Sequence, residues 1–434
     1  MTRVPDRWAV IARRFVPVVV VLGLSLGTVM PASAATDDPN WWYSGMHVDE
    51  ARAEGLTGAG VKIGIVDTRI NPQLDLFSGA SLTVSPGSSC IDGGEPTSQT
   101  PDEGTVHGTA MAALLLARPV GDVPMQGIAP DADVTFYSTS LEGEDCVDGP
   151  EGRSSIMEAV LRAIRDGNRI VSVSMGQDSP PEPDTAVIAE ALARGVVIVA
   201  STPNNISQRG YVSPQGYNGV VAAAAVGRDG ELQRQDDDVT PMIVPGVTVV
   251  APGIKILQPA NSTGWEGMSL STGSSTATPL VAGSLALLLQ KYPSATGNQL
   301  IQALISSTAN AVDGIPFNPT NGYGYGAVSL RNLLATDPTA LPDVNPLMNK
   351  TMGLPTAEQV AAGGGTPKPT ESAPATTAPS SPDVVSEPTS DAPPAASGES
   401  PAAVVPWLIG GGVGVMVIVI VVVIVVATRT RPKV

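Results

Sequence analysis

Between residues 61 and 289 the chain alternates short, mostly β-branched runs with longer apolar segments of helical period, which leaves few architectures open. Residues 61–66, reached through Gly60, read as a strand buried on both faces. Residues 107–117 read as a buried helix and 134–137 as a strand. Ile156, Val160 and Ile164 then recur at helical spacing until Gly167 ends the pattern. Strands are predicted over 170–173, 196–200, 220–226 and 247–250, and helices over 186–194 and 275–289. Strands separated by helices require right-handed crossovers, so the expected class is α/β, with a mainly parallel sheet covered by helices on both faces.

Both ends of the 434-residue chain are unsuited to that core, which favours one large folded domain, 36–345. Arg3, Arg7, Arg13 and Arg14 precede an apolar stretch over 18–29, followed by Pro31-Ala32-Ser33-Ala34-Ala35. This pattern predicts a secretory signal peptide over 1–35, with an uncleaved anchor as the alternative. At the other end residues 407–427 carry no charge and lead into Arg429, Arg431 and Lys433. About 21 residues at a rise of ~1.5 Å cross the hydrocarbon core, which predicts a single transmembrane helix over 404–428. The basic residues make 429–434 a cytoplasmic tail and place the folded domain outside the cytoplasm, at the cell membrane. From roughly Thr366 to Pro401 the composition turns to Pro, Ala, Ser and Thr with few large apolar side chains, and an extended tether is expected over 346–403.

A formal net charge of −17 argues against nucleic acid as a partner, because no basic patch is present to neutralise phosphates. Cys90 and Cys146 are the only cysteines and lie beyond an export signal, which predicts a disulfide between them, with two free thiols as the alternative. Two Cys and two His without a His-Glu-x-x-His pattern offer no metal site, and no cofactor is expected.

Because His47 and His107 are the only histidines, any imidazole catalysis must use one of them. In parallel α/β sheets reactive groups gather where strand carboxyl ends meet helix N-termini. Asp67 ends a predicted strand, while His107 and Ser275 open predicted helices. A serine hydroxyl becomes nucleophilic when an imidazole takes its proton, and a carboxylate on the other ring nitrogen fixes the tautomer. Ser275 is therefore the expected nucleophile, His107 the general base and Asp67 the orienting carboxylate. Asp102 or Glu103, nearer to His107 in sequence, are rival orienters, and Ser275 has a second reading as a helix cap. An oxyanion donor is expected after the strand ending near Ala200, at Asn204 or its alternative Asn205. No histidine follows Ser275, which excludes the chain order of α/β-hydrolases. A set built on His47 would match all-β serine proteases, but the strand–helix alternation opposes that fold.

These segments resemble the subtilase superfamily. Val66-Asp67-Thr68 resembles its aspartate motif, His107-Gly108-Thr109 its histidine motif, and Gly273-Ser274-Ser275-Thr276-Ala277-Thr278-Pro279 its serine motif. Gly127-Ile128-Ala129-Pro130, Ala251-Pro252-Gly253 and Gly322-Tyr323-Gly324 resemble supporting turns, and the resemblance covers about 41–334. It implies a subtilisin-like fold and a serine endopeptidase that cleaves protein or peptide substrates. It also implies that substrate is held as an added strand along Ser174, Met175 and Gly176.

In layout the chain is similar to the mycosins, membrane-anchored subtilases associated with type VII secretion. This resemblance implies the secretion membrane complex as a partner and a lead-in packed along the protease. Three positions depart from the motifs: Arg69 and Pro203 stand where glycine is usual, and Ser274 where threonine is usual. They leave open an alternative function as a low-activity or inactive structural component of the secretion complex.

Overall fold

The central sheet of this computed structural model consists of β1 (Lys62–Asp67), β2 (Leu82–Val84), β3 (Asp133–Ser138), β4 (Ile170–Val173), β5 (Val197–Ser201), β6 (Val221–Val226) and β7 (Val249–Pro252). The structure describes residues 38, 40–89, 94–121, 124–139, 150–205, 212–261, 264–314, 316–318 and 320–363. Strand order is β2-β3-β1-β4-β5-β6-β7, with every pairing parallel. A separate antiparallel ribbon pairs β8 (Ile256–Asn261) with β9 (Gly264–Ser271). The helices are α1 (Trp41–Gly45), α2 (Val48–Ala53), α3 (Glu103–Leu116), α4 (Ser155–Arg165), α5 (Asp184–Ala193), α6 (Ser274–Lys291), α7 (Gly297–Ser306), α8 (Ala309–Val312), α9 (Leu330–Ala335) and α10 (Ala357–Ala361).

Strands β4 to β7 are buried at every position, which explains why their sequences are continuous apolar runs. The period-2 alternation of side chains sorts them between two cores. Ile63, Ile65, Val199 and Ala223 pack with Met111, Leu114 and Leu285 on the face covered by α3 and α6. Val66, Val171, Val173 and Ile198 pack with Ile156, Val160 and Ile188 on the face covered by α4 and α5. Helix α6 is buried from Ser274 to Leu289, so it is apolar around its whole circumference. Each fully buried leucine there contributes about 1.5–3 kcal/mol.

The α/β class and mainly parallel sheet are as predicted, but several features differ, among them β2 and α7, for which no strand or helix was predicted. Helix α3 begins at Glu103, capped by Asp102 accepting from the Thr105 N–H, so His107 lies in its second turn and not at its start. The ribbon was not foreseen, because its Gly, Ser, Asn and Pro residues carry little strand propensity. The folded part also continues past 345. Leu347 is buried, Asn218 N–H donates to Leu354 O at 2.7 Å, and Asn218 Nδ2 donates to Pro355 O at 3.1 Å.

The lead-in packs on the domain: Trp42 is buried, and the N–H groups of Thr57 and Gly58 donate to Gln290 Oε1 on α6 at 2.8 and 2.7 Å. Among the described residues no helix is long and apolar enough to cross a membrane. The predicted signal peptide, the C-terminal span and tail, and Cys90 and Cys146 lie outside the described residues, as does the tether beyond residue 363.

Candidate active site

Strand β1 delivers Asp67 to its carboxyl end, where the side chain is fully buried. Its Oδ1 accepts from the Thr68 N–H at 2.8 Å and from His107 Nδ1–H at 2.7 Å. The motif around His107 explains how the imidazole is held. A Cβ on Gly108 would lie 2.3 Å from Arg69 O, so only glycine lets α3 approach the end of β1 this closely. Thr109 Oγ1 accepts from the Asn71 N–H at 2.9 Å, and Thr68 Oγ1 donates to Gly104 O at 2.5 Å. These bonds fasten the loop after Asp67 to the helix carrying His107.

The electrostatics of His107 follow from this placement. Burial disfavours the imidazolium, but the charge and hydrogen bond of Asp67, together with the charge of Glu103, outweigh it. The pKa of His107 is therefore raised above the ordinary histidine value. Asp102 is occupied as the α3 cap and Glu103 makes no hydrogen bond to the ring, so Asp67 is the carboxylate on His107. His47 instead joins Glu50 at 3.3 Å and Arg331 at 3.1 Å. Arg69 turns to Asp102, with N and O atoms 3.5 Å apart, leaving Asp67 to the imidazole.

Ser275 is the second residue of α6, a buried helix packed along α3, and is itself buried. Among the described residues neither its Oγ nor His107 Nε2 has a hydrogen-bond partner, as is common before substrate tightens such a site. Pro279 lacks the N–H that would bond the Ser275 carbonyl four residues earlier, and Ser174 Oγ donates to that carbonyl at 2.9 Å instead. Ser174 thereby ties the segment after β4, with Met175 and Gly176, to the serine turn.

Of the two asparagines, Asn204 is the one bonded to this turn: its Oδ1 accepts from the Ser274 N–H at 2.7 Å. A Cβ on Gly273 would lie 3.0 Å from Ser275 Oγ and 3.3 Å from Asn204 Nδ2, so glycine keeps the gap between those two groups open. Ser274, the unusual residue of the motif, also donates its hydroxyl to Thr202 O.

Sequence reasoning missed the opposite wall. Gln258, Ala260, Asn261, Ser269 and Ser271 of the ribbon face Glu103, Val106 and His107 across a cleft of about 420 Å³. The available signal was position, since the ribbon immediately precedes the serine turn.

A parallel sheet that presents a buried carboxylate paired to an imidazole, with a serine at the mouth of a buried helix packed along α3, is a scaffold suited to a serine hydrolase. The subtilase family model matches residues 58–326, and the chain belongs to this family of serine proteases. It is 30% identical over 292 residues to subtilisin BL of Lederbergia lenta, a match covering 67% of this chain and 96% of that protein. In fold it is similar to MycP1 from Mycobacterium smegmatis, with TM-score 0.52, 22% identity, and coverage of 73% and 89% of the two chains. MycP3, a protease from the type VII (ESX-3) secretion system, gives TM-score 0.50 and 21% identity over 70% of this chain and 90% of its own.

Proposed function

We propose that this chain is a serine endopeptidase anchored at the outer face of the cytoplasmic membrane and associated with type VII secretion, with an exported protein as substrate. The observation that carries the catalytic part is the 2.7 Å contact between buried Asp67 and His107 Nδ1. This bond commits Nε2 to act as the base. Ser275 Oγ attacks the scissile carbonyl while His107 Nε2 takes its proton, then returns it to the leaving amine. The Ser275 N–H at the start of α6 and Asn204 Nδ2 stabilise the oxyanion, and water hydrolyses the acyl-enzyme. Substrate lies along Ser174, Met175 and Gly176.

Anchoring rests on the apolar segment 404–428 and its basic tail, with 1–35 as the export signal. The secretion partner rests on that layout together with the likeness to MycP1 and MycP3. The unusual motif neighbours do not favour a purely structural role, because Arg69 pairs with Asp102 and Asn204 keeps its bond to Ser274 beside Pro203. Labelling with a fluorophosphonate probe tests the proposal. Label is expected on the wild-type chain and is expected to disappear in Ser275→Ala and His107→Ala. A folded chain that takes no label, or that is labelled equally in both variants, refutes it.

A further inference from the structure

The cleft between the first turns of α3 and the β8–β9 ribbon is lined by one charged residue, Glu103. Among the described residues this carboxylate is exposed and makes no ion pair or hydrogen bond. Its neighbour Asp102 differs, being occupied by the Thr105 N–H at 2.8 Å, the Thr105 hydroxyl at 2.9 Å and Arg69 at 3.5 Å. The rest of the lining mixes the amides and hydroxyls of Gln258, Asn261, Ser269 and Ser271 with apolar surface from Val106, Ala260 and the side-chain carbons between them. His107, 29% exposed, forms part of the same wall, so whatever fills the cleft lies beside the proposed base.

An acidic side chain would meet Glu103, and a purely apolar one would cover the carboxylate without pairing it, whereas a lysine or arginine can lay its methylene stem on the apolar surface and bring its charge to Glu103. A cation gains a carboxylate that makes no ion pair among the described residues; Gln258 Nε2 donates to Ser269 Oγ, which leaves the Gln258 amide oxygen as a further acceptor for the cation's N–H groups. We propose that this cleft is a specificity subsite for a lysine or arginine side chain next to the scissile bond, with Glu103 as its anchor; this rests on the peptidase reading above. Glu103 also lies in the first turn of α3, where a carboxylate stabilises the helix dipole, so the test must separate recognition from helix stability.

Peptide pools with lysine, norleucine or glutamate fixed in turn at each position around the cleavage site supply that test on the full chain in detergent. Lysine is expected to exceed norleucine in kcat/KM by about fivefold at one position, the upper end for a solvent-facing ion pair. Glu103→Gln is expected to bring that ratio to about one, and Glu103→Lys to reverse it in favour of glutamate, as charge recognition requires. A loss of helix stability alone would lower all pools together and leave the ratio unchanged, which overturns the proposal, as does a wild type that ignores charge at every position. The same pools titrated onto Ser275→Ala protein read binding without turnover. Lysine-selective binding to Ser275→Ala, together with a wild-type chain that cleaves none of the pools, would sink the peptidase reading and keep the cation-binding cleft, and binding without charge preference would sink the cleft proposal.

Discussion

The bond from Ser174 to the carbonyl of Ser275 exists because of a proline, and that dependence is measurable. Pro279 cannot donate to Ser275 O, so the buried carbonyl relies on Ser174 Oγ at 2.9 Å. Ser174→Ala leaves the carbonyl unsatisfied in a dry environment, at a cost of about 1–3 kcal/mol. Pro279→Ala restores an N–H at the position from which an α-helix donates four residues back. In that background Ser174→Ala should cost no more than ~0.5 kcal/mol, giving a coupling of about 0.5–3 kcal/mol between two side chains linked through the carbonyl. Urea denaturation of the four chains, all carrying Ser275→Ala to prevent self-cleavage, reads the cycle from the shift in midpoint at constant slope. Equal costs of Ser174→Ala in the two backgrounds would refute the reasoning and reduce the serine to ordinary packing.

The pKa of His107 is raised and the reaction needs neutral imidazole, so the acid limb of kcat/KM should fall above pH ~6.5; a limb centred lower contradicts the described electrostatics. Asn204→Ala should lower kcat by ~10²–10³ with little change in KM, the range seen when a related enzyme loses its oxyanion donor, whereas a KM effect alone would make Asn204 a binding residue. Arg69→Gly should change turnover less than threefold, because an exposed pair with Asp102 is worth only about 0.2–1 kcal/mol; a large effect would show that Arg69 acts on Asp67 after all. Burial lowers the Lys350 ammonium, which donates to Gln215 O at 2.8 Å, to about 7. Unfolded, it titrates near ~10.4, so the unfolded chain holds more protons between those values and stability rises with pH across that window. Lys350→Met should flatten the rise, and an identical pH slope in denaturant melts would show that Lys350 does not cause it.

Buried elements were legible in the sequence for a local reason. Residues 63–66 of β1, strands β4 to β7 and α6 as far as Leu289 are buried throughout, so these runs are apolar or small and announce themselves. The pairing of Asp67 with His107 was legible because the neighbouring residues have tight local duties: Gly108 admits the Arg69 carbonyl, as Gly273 clears the space before Ser275. The β8–β9 ribbon lacked that legibility, since half-exposed strands built from Ser, Gly, Asn and Pro look like loop. Residues 346–363 were read as tether for the same reason, although Leu347, Lys350 and Leu354 find their partners on the segment around Asn218, far away in the chain.

By itself the sequence determined the α/β class and six of the seven strands of the central sheet, and it offered a short list of candidate reactive side chains, because each depends on residues a few positions apart. Only the tertiary structure decided that Asp67 and neither Asp102 nor Glu103 bonds His107, that Asn204 meets the serine turn, that Arg69 turns away from Asp67, and that Glu103 faces a cleft. Those are choices among chemically equivalent groups. What separates them is distance across the fold, which the crossover connections of the sheet set and no local pattern encodes.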